Sequence, residues 1–200
     1  MTAGHMPIGR LPSLTGTVGP GMTQTERLGL LRNCAMDTSS PLAARVAAVL
    51  VLLFAQPLTR IRVLTLDDII VGDDDLAIRL GDPPSPVPQP FATLLLELCA
   101  KRENLTVPAN ASCRWLFPGR GPGQPVGYTA LRQWVTSVGL HVGRARVSAL
   151  RQFVLDVPPP VAATAFGFAH FTAHHHVEAA GGTWNRYVTV NRAPQQPSPA

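Results

Sequence analysis

The stretch RARVSALRQFVLDVPPPVAATAFGFAHFTAHHHVEAAGGTWNRYV, residues 144–188, decides how the chain is read. Arg151 sits inside an apolar helical pattern built from Val147, Leu150 and Val154, with Phe153 beside them. The spacing predicts a helix over 147–157, preceded by Arg144 and Arg146 and stopped by Pro158-Pro159-Pro160. A short helix over 161–168 ending at Gly167 follows. Thr172 then caps a histidine-rich helix to Ala180, closed by Gly181-Gly182, and Trp184 and Tyr187 come after it.

Several groupings there carry chemistry. Arginine is a permanently charged, planar fork that suits the non-bridging oxygens of a phosphate. Arg151 and Arg60, the latter directly after the most apolar helix of the chain, both flank core helices and so fit one cleft. The plainer alternative is a pair of structural arginines holding loops or carboxylates. Tyr187 is a candidate nucleophile toward a phosphodiester, provided nearby charge stabilises its phenolate; otherwise Trp184 and Tyr187 are packing residues on one helical face. His170 and His174, with Glu178 one further turn on, have metal-ligand spacing, yet there is no HExxH. No metal or other cofactor is expected. Proton transfer or phosphate contact by one of these histidines, or a plain polar helix face, fits better. Ala163, Gly167 and Ala173 also fit a helix-turn-helix over 161–180, whose second helix would present His174, His175 and Glu178 to a DNA groove.

The rest of the chain supplies a mainly α fold with a small antiparallel β-sheet. Residues 1–24 read as a disordered lead-in and 191–200 as a loose tail. Thr23 or Thr25 caps a helix through about Met36. Asp37 to Ser40 offer caps for a second helix, with Pro41 at its first position, running to Gln56 and apolar nearly all round. Residues 69–80 read as a β-hairpin turning at Gly72 to Asp75, a solvated acidic turn without calcium-loop spacing. The five prolines between Gly81 and Pro90 exclude a central strand. Amphipathic helices are expected over 91–103, with Leu94, Leu95, Leu98 and Cys99 on one face, and over 128–139, with Leu131, Trp134 and Val135 buried.

Charge is unevenly spread. Residues 1–100 hold seven arginines against nine acids, net −2, whereas 101–200 hold ten Lys+Arg against three acids, net +7. A basic half suggests a polyanion partner, although an arginine-favouring codon bias would give the same tally. Cys34, Cys99 and Cys113 form no CxxC pair, which argues against a zinc ribbon or a disulfide framework and fits a reducing cytoplasm. The longest apolar run, Val46 to Ala55, falls well short of the ~20 residues a bilayer span needs. No membrane partner is expected.

Taken together, Ala55-Gln56-Pro57-Leu58-Thr59-Arg60-Ile61, the hairpin after it, Trp115-Leu116-Phe117-Pro118-Gly119, Ser148-Ala149-Leu150-Arg151 and the late glycine turn and tyrosine resemble tyrosine recombinases, the phage-type integrases. More narrowly they resemble divergent actinobacterial integrase-like proteins. The resemblance covers about residues 25–190, the catalytic domain alone. It implies DNA as partner, DNA integration and recombination as the setting, metal-free cleavage through a 3′-phosphotyrosine link, and a homo-oligomer on DNA. It places Arg60 and Arg151 on the scissile phosphate, Tyr187 as nucleophile and His170 or His174 as proton donor. Arg144, Arg146, Thr172 and His175 become DNA contacts. The chain also departs from the pattern. Ser148 stands at the histidine of the His-x-x-Arg motif, the hairpin lysine has no counterpart, and Gly167 is followed by Phe168 where histidine is usual. Tyr187 lies farther past Gly167 than the family spacing. A degenerate active site is therefore expected, with a non-catalytic DNA-binding module as the alternative.

Overall fold

The computed structural model describes residues 21–73, 75–103, 112–156 and 164. Helix α1 spans Gln24–Met36. It starts as a capping box: the Glu26 amide donates to the Thr23 hydroxyl at 3.2 Å, and the Thr23 amide donates to the Glu26 carboxylate at 2.6 Å. Arg27, Leu31 and Cys34 form its buried stripe. Burial pushes the Cys34 thiol up to about 11, so it packs as a small apolar group.

Helix α2, Leu42–Phe54, is the axis of the fold. It packs against α1, against α4 (Phe91–Ala100), against α5 (Tyr128–Ser137) and against α6 (Val142–Asp156). That is why its sequence is apolar on every side: Val46, Ala47, Val49, Leu50, Val51 and Leu52 all lie in the core. Burying one such aliphatic side chain contributes about 1.5–3 kcal/mol. The expected cap differs from the one observed. Pro41 is itself the N-cap and no side chain caps α2. The Asp37 carboxylate instead accepts from the amide and hydroxyl of Ser39 and the hydroxyl of Ser40, closing the turn between α1 and α2.

After α2 come a single turn, α3 (Leu58–Ile61), a 3-10 turn (Leu66–Asp68) and three short strands, β1 (Ile69–Val71), β2 (Leu76–Ile78) and β3 (Ser85–Pro86). The sheet is antiparallel in the order β1-β2-β3, with Ile69 opposite Ile78 and Ala77 opposite Pro86. The strand within the proline-rich stretch is thus an edge strand, the position where a missing amide donor is tolerated.

Helix α4 buries Ala92, Leu94, Leu95 and Leu98, and α5 buries Leu131 and Val135. Trp134 is only half-buried. Helix α6 begins five residues earlier than its apolar pattern suggests, so Arg144 and Arg146 lie within it. The Ala145 amide already donates to the His141 carbonyl at 3.0 Å. Its buried face is Ala145, Ala149 and Leu150, with Val147 half-buried. That face packs on α2.

Candidate functional site

Arg60 is placed by the way α2 ends. The last carbonyls of a helix lack partners within it. Here the Leu52 carbonyl accepts from Arg27 Nε at 3.0 Å, and the Phe54 carbonyl from Gln56 Nε2 at 3.1 Å. The Ala55 carbonyl accepts from Arg146 Nε at 2.9 Å. Ala55 adopts φ 52°, ψ 22°, a left-handed conformation that costs a residue with a β-carbon about 1–2 kcal/mol. Pro57 then caps α3, and the Arg60 amide donates to its carbonyl at 3.0 Å. Arg60 emerges half-buried, beside the fully buried Ile61.

Arg151 is placed by α6. Ala149 and Leu150 pack with Ala55 in a small cluster backed by Phe153. The residue that turns the chain toward Arg60 therefore rests on the residues just before Arg151, and the Arg146 bond latches the same junction. Arg151 is half-buried, and its Nε is buried without a hydrogen-bond partner among the described residues. Arg102 Nε is in the same state, and each such buried donor calls for an acceptor.

The other arginines are engaged differently. Arg45, buried within α2, donates to the Cys34 and Ala35 carbonyls at the end of α1, at 2.7 and 3.0 Å. Arg62 donates to Val126 O, and Arg102 to the carbonyls of Cys113 and Trp115. Arg114 forms an exposed two-pronged pair with Asp67 and holds its carboxyl below the usual range. Burial lowers the Arg146 pKa, and its bond to Ala55 gives it a structural duty alongside the DNA contact expected of it. Arg144 reaches Gly21 O at 3.5 Å and the Glu26 carboxylate at 3.4 Å. Sequence alone did not reveal this duty, although an arginine in the apolar run of α2 was a signal that Arg45 must be paired.

Arg32, Arg120 and Arg132 are exposed. An open groove of about 440 Å³ is lined by Arg132, Thr136, His141 and Gly143. Tyr187, His170, His174, Thr172 and His175, with nearly all of the helix-turn-helix stretch, lie outside the described residues. Among the described residues no three His, Cys, Asp or Glu side chains group as metal ligands, and no helix is long and apolar enough to cross a membrane.

No protein-family model and no curated protein matches the chain. Solved structures do. The site-specific recombinase XerH, bound to palindromic difH substrate in a post-cleavage complex, matches with a TM-score of 0.62 at 14% identity, over 90% of this chain and 55% of that one. Its pre-cleavage complex with difH matches with a TM-score of 0.56 at 14% identity, over 86% of this chain and 53% of that one. The chain thus spans about half the length of these recombinases. Mainly helical, with a small three-stranded antiparallel sheet, the chain has the fold of a tyrosine recombinase catalytic domain.

Proposed function

We propose that this protein binds duplex DNA through its phosphates, in the manner of a site-specific recombinase, with Arg60 and Arg151 on one phosphate. One observation carries this reading. The junction bearing Arg60 and the helix bearing Arg151 are fastened together at Ala55, and Arg151 keeps a buried Nε without a partner among the described residues. Two guanidinium groups on one phosphate would stabilise the charge that develops on a phosphoryl centre under attack. The shared fold with a DNA-bound recombinase gives the setting.

The chemistry that fits is attack by the Tyr187 phenolate oxygen on phosphorus. The new Tyr–O–P bond replaces the bond to the 5′ oxygen, which leaves as a hydroxyl after taking a proton from His170 or His174. Arg144, Arg146, Thr172 and His175 are the proposed flanking contacts, and a homo-oligomer on DNA is the proposed assembly. Ser148 weighs against full activity. It stands at the usual histidine position, and its hydroxyl donates to Met22 O at 2.6 Å. That engagement favours a second reading, a module of the same fold that holds DNA and cleaves it poorly or not at all.

Covalent trapping separates the two. The protein is incubated with nicked duplexes from around its own gene and run on a denaturing gel. An adduct lost in Tyr187→Phe and in Arg151→Ala establishes cleavage and its nucleophile. An adduct that persists in Tyr187→Phe refutes the tyrosine assignment. A salt-sensitive gel shift without adduct supports the holding module, and neither shift nor adduct rejects the DNA reading.

A further inference from the structure

A second set of contacts ties the N-terminal side of the described chain to α6, one turn before Arg151. Residues Gly21 to Thr23 run along α6 before α1 begins. The Met22 amide donates to Arg144 O at 3.4 Å, and Ser148 Oγ donates to Met22 O at 2.6 Å. Arg144 also reaches Gly21 O and the Glu26 carboxylate. The Met22 side chain is 9% exposed and belongs to the main core. This short strap is therefore fixed at both ends.

The strap passes close to the Arg151 guanidinium. A β-carbon on Gly21 would sit 2.7 Å from Ser148 Oγ and 3.5 Å from Arg151 Nη1. Only a glycine allows the backbone this close without displacing the serine. The Ser148 hydroxyl is small and can rotate, but rotating it gives up the bond to Met22.

We propose that the Gly21–Thr23 strap positions Arg151, with Ser148 as the positioning residue that latches the strap to α6. The inference rests on the reading of Arg151 as a phosphate-binding group. It gives Ser148 a duty of its own: where a proton-handling side chain is usual, this chain carries a latch. Gly21→Ala and Ser148→Ala should open the same latch by different routes. The double variant should then be no worse than either single one, because two changes that break one interaction do not add.

The test has two readouts on the full chain. The first is the Nε–H resonance of Arg151 in ¹⁵N-labelled protein without DNA, assigned by its loss in Arg151→Lys. In the parent protein and in Ser148→Thr, which keeps the hydroxyl, it should be resolved and slow to exchange. In Gly21→Ala and in Ser148→Ala it should move to the averaged position of exposed arginines, while the amides of α2 and α5 stay in place. An Arg151 signal unmoved in both variants would overturn the inference. The second readout is binding of a 30-base-pair duplex against salt. If the signal moves and the salt slope falls by up to about one, as for a lost phosphate contact, both the strap and the phosphate reading stand. If the signal moves and neither these variants nor Arg151→Ala changes the slope, the strap stands and the phosphate reading fails.

Discussion

Arg146, in the second turn of α6, donates its Nε to the carbonyl of Ala55, 91 positions earlier in the chain and 2.9 Å away. This bond joins the end of the central helix to the helix that carries Arg151. It also spares the Ala55 carbonyl from being buried without a partner. Replacing Arg146 with methionine keeps the apolar stem and removes the donor. The expected loss is about 1–3 kcal/mol, the cost of an unmade bond to a charged group. Urea unfolding of the two proteins checks it, and a midpoint shift of no more than a few tenths molar would mean that water replaces the guanidinium.

Arg45 and Arg132 should behave as opposites. Arg45 is 6% exposed and holds two carbonyls at the end of α1. Arg132 lies exposed on α5. Arg45→Met should cost roughly 1–3 kcal/mol, whereas Arg132→Ala should stay within about 0.5 kcal/mol. Equal effects in thermal unfolding would show that arginine content here reflects surface charge rather than carbonyl capping.

Gly139 ends α5 in a left-handed conformation, φ 81°, with the Leu140 amide donating to Val135 O at 3.0 Å and the Gly139 amide to Thr136 O at 2.9 Å. That pairing is a Schellman motif, which favours glycine at its left-handed position. Gly139→Ala should lower stability by about 1–2 kcal/mol from backbone strain. The added methyl would stand 3.6 Å from Leu30 Cδ2, an ordinary contact, so no clash should enlarge the loss.

Acid should loosen the same fold at exposed carboxylates, Glu26 and Asp67 among them. Hydrogen bonds from the Thr23 amide and hydroxyl hold the Glu26 carboxyl below its ordinary value against desolvation, and Arg144 adds to the lowering. Arg114 does the same for Asp67. A carboxylate whose pKa is depressed on folding stabilises the protein above its unfolded value, and that stabilisation is lost as pH falls through the folded value. Melting temperature should therefore decline below about pH 4, and Glu26→Gln with Asp67→Asn should flatten the decline. An unchanged pH profile in the double variant would place the acid sensitivity elsewhere.

Much of the fold was legible because its elements announce themselves locally. The threonines before α1, the nearly all-apolar run of α2 and the acidic turn between β1 and β2 each mark one element. The start of α6 was not legible. Arg144, Arg146 and Ser148 break its apolar pattern, and each is satisfied only by chain far away, at Glu26, Ala55 and Met22. For the same reason the basic charge of the second half includes side chains that the fold itself also uses. Arg102 and Arg146 are engaged with main-chain carbonyls, and Arg114 and Arg144 are paired with carboxylates. Arg60 and Arg151 were singled out by the order of motifs around them; what fastens their elements, the Arg146–Ala55 hydrogen bond and the packing of Ala55 on Ala149 and Leu150, leaves no pattern in sequence.

The most direct test of the central claim is the salt dependence of duplex binding by the parent protein, Arg60→Ala and Arg151→Ala. Each phosphate contact contributes close to one unit to the slope of log affinity against log salt. Each variant is expected to lower the slope by about one and to weaken binding to all sequences alike. Parallel salt plots for all three proteins, with equal affinities, would contradict the assignment of Arg60 and Arg151 to a DNA phosphate.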